Sequence, residues 1–199
     1  TPFMRFEPVG VIGLASGVSD VVAGAVHSCA LTTAGGVKCW GENSEGWLGN
    51  GSTTGGLTPV DVTGLSSGVA GIAAGGEHSC ALLTSGDIKC WGSNVQGQLG
   101  DGSSPGIQPT PVQVFGASEM TRVAAGDFHT CATTGAGAPK CWGYNGSGGL
   151  GNGSTDGSAV PVDVLGLSAG VTNLALGNGH TCAITHEGAL FCWGENADG

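Results

Sequence analysis

A unit of 51 residues occurs four times along this chain of 199 residues and constrains its fold more than any other feature. His27, His78, His129 and His180 fall at that spacing, as do Cys29, Cys80, Cys131 and Cys182. Cys39, Cys90, Cys141 and Cys192 do the same, each followed by Trp-Gly and then, after one more residue, by Asn43, Asn94, Asn145 or Asn196. Leu-Gly pairs recur at 48, 99 and 150, and Pro-Val segments begin at 59, 111 and 161, the middle one a residue late. A unit of this size cannot bury a core alone, so the period indicates blades or coils that stack on their neighbours.

Within each unit the pattern is that of short strands. Val18 to Ala23 is apolar, His27-Ser-Cys-Ala-Leu and Val37-Lys-Cys-Trp-Gly follow, and the Pro-Val-x-Val segment ends the unit. Four strands in about fifty residues is the size of one propeller blade. No helical periodicity of useful length is present, which makes the chain all-β: β-propeller blades of four antiparallel strands. The blades divide the chain near 1–46, 47–97, 98–148 and 149–199, in a single repeat domain. The 41 glycines sit at fixed repeat positions and read as turn and close-packing residues rather than a disordered tract.

The two cysteines of each unit flank a predicted β-hairpin. A glycine recurs at 35, 86, 137 and 188, where a tight reversal favours positive φ. A hairpin folded about Ala34 sets Leu31 opposite Val37 and Cys29 opposite Cys39, within reach of a disulfide. The preferred pairs are Cys29 with Cys39, Cys80 with Cys90, Cys131 with Cys141 and Cys182 with Cys192. Two alternatives stand beside this pairing: free buried thiols, and zinc ligation with the nearby histidine, which the wide C-x9-C spacing disfavours. Disulfides imply an oxidising compartment, hence secretion or the cell surface.

The formal charge of −10, with only 5 lysines and arginines, is unfit for phosphate binding and excludes nucleic acid as the expected partner. No apolar run reaches the roughly 20 residues that cross a bilayer as a helix, so no membrane insertion is expected. Lys38, Lys89 and Lys140 share one repeat position and read as strand residues on a solvated face. The motifs of serine hydrolases, zinc proteases and phosphate-binding loops are absent, and no enzyme, metal or cofactor is expected. Histidines repeated in every unit read as architectural, each beginning a strand and bonding backbone in its own or the next blade. Asn50, Asn145 and Asn152 begin N-x-S sequences that match a glycosylation acceptor.

Taken together, the segment Ala73-Ala-Gly-Gly-Glu-His-Ser-Cys-Ala-Leu and its continuation Lys89-Cys-Trp-Gly-Ser-Asn resemble the repeat of the regulator of chromosome condensation family. The paired cysteines are similar to its bacterial secreted branch. The resemblance spans essentially the whole chain. It implies a propeller, commonly of seven blades, and a host fold for varied partners. The eukaryotic namesake, a guanine-nucleotide exchange factor, is matched here only in its blades. The expected function is therefore a non-catalytic extracellular binding module for a protein or glycan ligand, with a filament subunit as the alternative and nucleotide exchange as a third reading.

Differences between units mark candidate contacts. Trp47 stands where other units have Gln98 and Gly149, and Tyr144 where they have Glu42, Ser93 and Glu195. Phe3 and Phe6 replace small residues of the equivalent loop. These four aromatics read either as contact anchors or as fillers at a seam. Pro8, Val9 and Val11 match the Pro-Val segment, so the N-terminal strand is expected to complete the last blade. It would do so within one chain, in a two-chain ring by exchange of terminal strands, or as part of a longer propeller.

Overall fold

A computed structural model describes residues 6–197. The first blade contains β1 (Val18–Ala23), β2 (His27–Thr32), β3 (Val37–Gly41) and β4 (Gly56–Asp61). The second contains β5 (Val69–Ala74), β6 (His78–Leu83), β7 (Ile88–Ser93) and β8 (Ile107–Gln113). The third contains β9 (Met120–Ala125), β10 (His129–Thr134), β11 (Pro139–Gly143) and β12 (Ser158–Asp163). The fourth has β13 (Val171–Leu176), β14 (His180–Thr185) and β15 (Leu190–Gly194). Each blade is an antiparallel meander in sequence order, and the first strands of successive blades approach one another, which puts them on the inside of the ring.

The hairpin register follows the sequence expectation. Leu31 pairs with Val37 and Cys29 with Cys39, and the other three blades repeat this. Gly35 closes the turn at φ 78°, which a residue with a Cβ adopts only at a cost. Because a two-residue period returns each side chain to the same face, the cysteines meet directly across the strands. They are bonded in all four blades, with S–S distances of 2.08, 2.10, 2.10 and 2.12 Å. The prolines of the Pro-Val segments sit on the outermost strand, where a missing N–H breaks no ladder bond. Lys38 pairs with Asp61 at 2.6 Å across β3 and β4, and Lys140 with Asp163 likewise. Both pairs are exposed and contribute little to stability.

The core lies between blades and not within them. One cluster joins Leu31, Val37, Leu48 and Val62 of the first blade to Val69, Ile72 and Trp91 of the second. A second joins Leu82, Ile88 and Leu99 to Met120 and Trp142, and a third joins Leu150 and Val164 to Val171 and Leu174. Each of the two middle blades is thus a sheet whose faces are buried by its neighbours, the stacking that the repeat period requires.

The structure departs from expectation at the ends. Among the described residues the fourth sheet has three strands, and the segment from Pro8 to Ile12 forms no strand and is exposed. Within one chain the N-terminal segment therefore does not complete the last blade. The Pro-Val match is too short to fix a strand, because an edge strand is held by its partner's ladder and not by its own pattern.

Candidate functional site

Every interior blade junction contains the same polar relay. His27 Nε2 lies 2.7 Å from Ser79 Oγ, His78 Nε2 2.7 Å from Thr130 Oγ1, and His129 Nε2 2.9 Å from Thr181 Oγ1. Each hydroxyl donates in turn to a loop carbonyl of the preceding blade: Ser79 to Trp47, Thr130 to Gln98 and Thr181 to Gly149. The same three carbonyls accept the indole N–H of Trp91, Trp142 and Trp193 at 2.8, 2.9 and 2.8 Å. One carbonyl oxygen thereby receives two donors from the next blade.

The relay assigns the tautomer. A hydroxyl that donates to a carbonyl must accept from the imidazole, so Nε2 carries the proton. Nδ1 is then a bare lone pair, and in His27, His78 and His129 it is buried without a partner. The ring lies against a glycine: a Cβ at Gly24, Gly75 or Gly126 would stand 2.8 to 2.9 Å from that nitrogen. A second proton on Nδ1 would have no acceptor. Burial accordingly lowers the pKa of these histidines to about 4, about 3 and about 4, with repulsion from His129 and His27 adding to the effect at His78.

The histidine expectation is corrected in one respect: the partner is a side-chain hydroxyl of the next blade, not backbone. The hydroxyls at 28, 79, 130 and 181 were visible as a fourth repeated position beside the histidine, but their role depends on a neighbour about fifty residues away. The histidines sit at separate junctions rather than around an axial ion. Among the described residues no group of three or more His, Cys, Asp or Glu side chains is arranged to hold a metal.

Asn43, Asn94 and Asn145 organise the long loops in the same interior manner. Asn145 Oδ1 accepts from Leu150 N, while its Nδ2 donates to Ser154 O and Asp156 O, each at 2.9 Å. Asn145 is buried, so of the three N-x-S sequences this one cannot carry a glycan without loss of its loop.

Polar positions that differ between blades gather elsewhere. Each pairing of the first and second strands contains a register shift, at Val18/Asp20, Val69/Gly71, Thr133/Thr134 and Val171/Asn173. The bulged hydroxyls of Ser19, Thr121 and Thr172 bond carbonyls across the ladder, and the residue that follows is turned inward. Asp20, Gly71, Arg122 and Asn173 occupy this one repeat position, and all four line an axial cleft of about 260 Å³ with Ile72 and Leu174 in its wall. Among the described residues Arg122 forms no ion pair.

Of the two readings of Trp47, contact anchor or seam filler, its surroundings match the second. It is 8% exposed, its ring stacked on His27 at the first junction, so it fills a seam. Tyr144 is half-buried and lies over Gly146 of its own loop. Phe6 is exposed, and Phe3 lies outside the described residues. Positions 20, 122 and 173, by contrast, share the cleft.

Comparison with known proteins agrees with this architecture. Models described as "Regulator of chromosome condensation (RCC1) repeat" match residues 18–46, 69–98, 120–148 and 171–199, and again 34–82, 85–133 and 141–184. The Arabidopsis thaliana ultraviolet-B receptor UVR8 is 32% identical over 92% of this chain and 42% of its own length. The mitochondrial RCC1 domain-containing protein RUG3 of the same plant is 33% identical over 91% of this chain and 43% of its length. The chain therefore spans less than half the length of these relatives. Among solved structures, human WBSCR16 superposes with a TM-score of 0.81 at 27% identity, covering 90% of this chain and 48% of that one. Saccharomyces cerevisiae Prp20p, studied for its binding to Gsp1p and histones, gives 0.78 at 25% identity over 90% and 44%. The designed protein Ika4 gives 0.56 at 16% identity over 97% of this chain and 100% of its own, a likeness of fold alone. With all four repeats matched in sequence and in blade structure, the chain belongs to the regulator of chromosome condensation (RCC1) repeat family.

Proposed function

We propose that this chain is a non-catalytic interaction module whose ligand is a protein segment of mixed charge received at the axial cleft. The observation that carries this reading is a division of labour among the polar side chains. At the interior junctions the repeated ones are occupied in holding blades and loops together, while positions 20, 122 and 173, free to vary, line one concave surface. A cation, a carboxylate and an amide on rigid strands match the alternating charges and amide groups of a peptide. The net charge of −10 favours basic partners at long range, with Arg122 reading a carboxylate at short range. That Prp20p binds Gsp1p and histones supports a binding role for this scaffold. Four disulfides support an oxidising location, secreted or at the cell surface.

Screening the pure protein against protein and glycan arrays tests this directly. The expected result is a protein ligand whose binding falls at least about tenfold in Arg122→Ala, with the melting temperature unchanged. A ligand indifferent to Arg122→Ala and Asp20→Ala, or binding only to glycans, would overturn the cleft. Turnover of a substrate by the pure protein would overturn the non-catalytic assignment. The filament reading draws on the open faces of the terminal blades and predicts polymers in electron micrographs. Nucleotide exchange predicts faster nucleotide release from a GTPase, which the present reading does not.

A further inference from the structure

The second blade departs from the other three at two adjacent residues of the axial cleft. Positions 19, 70, 121 and 172 are Ser, Ala, Thr and Thr, and the hydroxyls of Ser19, Thr121 and Thr172 donate to the carbonyls of Leu31, Thr133 and Ile184. Ala70 has no hydroxyl, so the equivalent carbonyl, that of Leu82, goes without this donor. The next position holds Asp20, Gly71, Arg122 and Asn173, a glycine where the other blades carry a polar side chain. Ala70, Gly71 and Leu82 all line the cleft.

Nothing in the fold requires glycine at 71. Its φ lies outside the left-handed region, and an added Cβ would meet only the Leu82 Cβ, at an ordinary contact of 3.9 Å. A Cβ at Gly75, by contrast, would run into the Gly126 carbonyl of the next blade. The bulge does not require it either, since the other three blades make the same register shift with Asp20, Arg122 and Asn173. Glycine inside a strand weakens it, and where no bulge or bend demands one it marks the close approach of another backbone.

The neighbouring blades give this gap its chemistry. β1, β5 and β9 lie side by side around the axis, so Gly71 falls between Asp20 and Arg122. Among the described residues neither charged group forms an ion pair. We infer that Ala70 and Gly71 form a notch that seats the main chain of an extended peptide segment from a partner protein. One amide N–H of that segment donates to the Leu82 carbonyl, a basic side chain reaches Asp20, and an acidic one pairs with Arg122. The notch rests on the charged cleft as the binding surface and adds to it a main-chain hydrogen bond, which selects an extended peptide over a side chain presented alone.

A phage-displayed library of random linear peptides, selected on the full chain, supplies the probes, and fluorescence anisotropy of the synthesised peptides reads their affinity. Two variants give the second blade what other blades carry: Ala70→Thr copies Thr121, and Gly71→Asn copies Asn173. Both are expected to melt at or above the temperature of the chain itself. The selected peptides are expected to contain a basic and an acidic residue and to bind each variant at least about tenfold more weakly. Methylation of one peptide amide nitrogen, found by scanning, is expected to weaken binding to the chain by about tenfold and to weaken binding to Ala70→Thr no further, because there the Leu82 carbonyl is already occupied. Peptides weakened by Arg122→Ala but bound undiminished by Gly71→Asn and Ala70→Thr would overturn the notch and leave the charged cleft standing. Peptides indifferent to Arg122→Ala, or a library that yields none, would overturn cleft and notch together.

Discussion

At the residue scale, the junction histidines are held neutral by geometry. Each donates from Nε2, offers a lone pair at Nδ1 and lies flat on a glycine, so the protonated form has neither space nor an acceptor. Their folded-state pKa values lie below the ordinary value of 6.5, at about 4, 3 and 4. The unfolded chain therefore binds more protons in this window. The stabilisation is complete above about pH 6.5 and is lost as pH falls toward 4. Urea unfolding at pH 7.5 and pH 5 is expected to show a loss on the order of 2 kcal/mol per buried histidine, and His78→Gln to lessen that loss by about a third. At neutral pH, Thr130→Ala is expected to cost about 1 to 3 kcal/mol, since it strips the partner from His78 Nε2 and one donor from the Gln98 carbonyl.

The residue scale is also where sequence was least sufficient. Histidine and tryptophan were recognisable as architectural because each recurs in every unit. Their partners were not, because a hydroxyl 52 residues away and a loop carbonyl 44 residues away are joined only once blades have stacked. Trp47 looks like a contact residue in a list of differences between units. Its burial on His27 is a property of the seam, which no local pattern records.

At the element scale, the hairpin was fully legible. A glycine at the turn and a two-residue side-chain period fix Cys80 opposite Cys90, and the bonded pair sits there. Closing a loop of this length stabilises by about 2 to 3 kcal/mol in the chain-entropy account, so replacing Cys80 and Cys90 together by alanine is expected to lower unfolding free energy by that amount in guanidinium titrations. The four bonds differ in access. Those of the first three blades are buried, while Cys192 is exposed. The bond between Cys182 and Cys192 is expected to yield first to a mild reductant, and mass-spectrometric mapping of alkylated cysteines reads the order. Among the described residues the last blade has three strands, and the N-terminal segment expected to add a fourth within one chain forms none. Three residues matching the Pro-Val pattern do not supply the ladder that would hold them.

At the scale of the whole molecule, near-identical blades put all distinctiveness into what breaks the repeat. The inward residues after the bulges do so, and they give the cleft the mixed charge that supports a binding function. Sequence made the number and kind of blades plain, since a strict 51-residue period leaves little freedom. Whether the ring closes depends on the angle between blades, which side-chain volumes at the seams set jointly and no single unit encodes. Titration calorimetry of an array-selected protein ligand into the chain and into Arg122→Ala tests the account at its centre. It predicts an affinity at least about tenfold weaker in Arg122→Ala at an unchanged melting temperature, and equal affinities would contradict it.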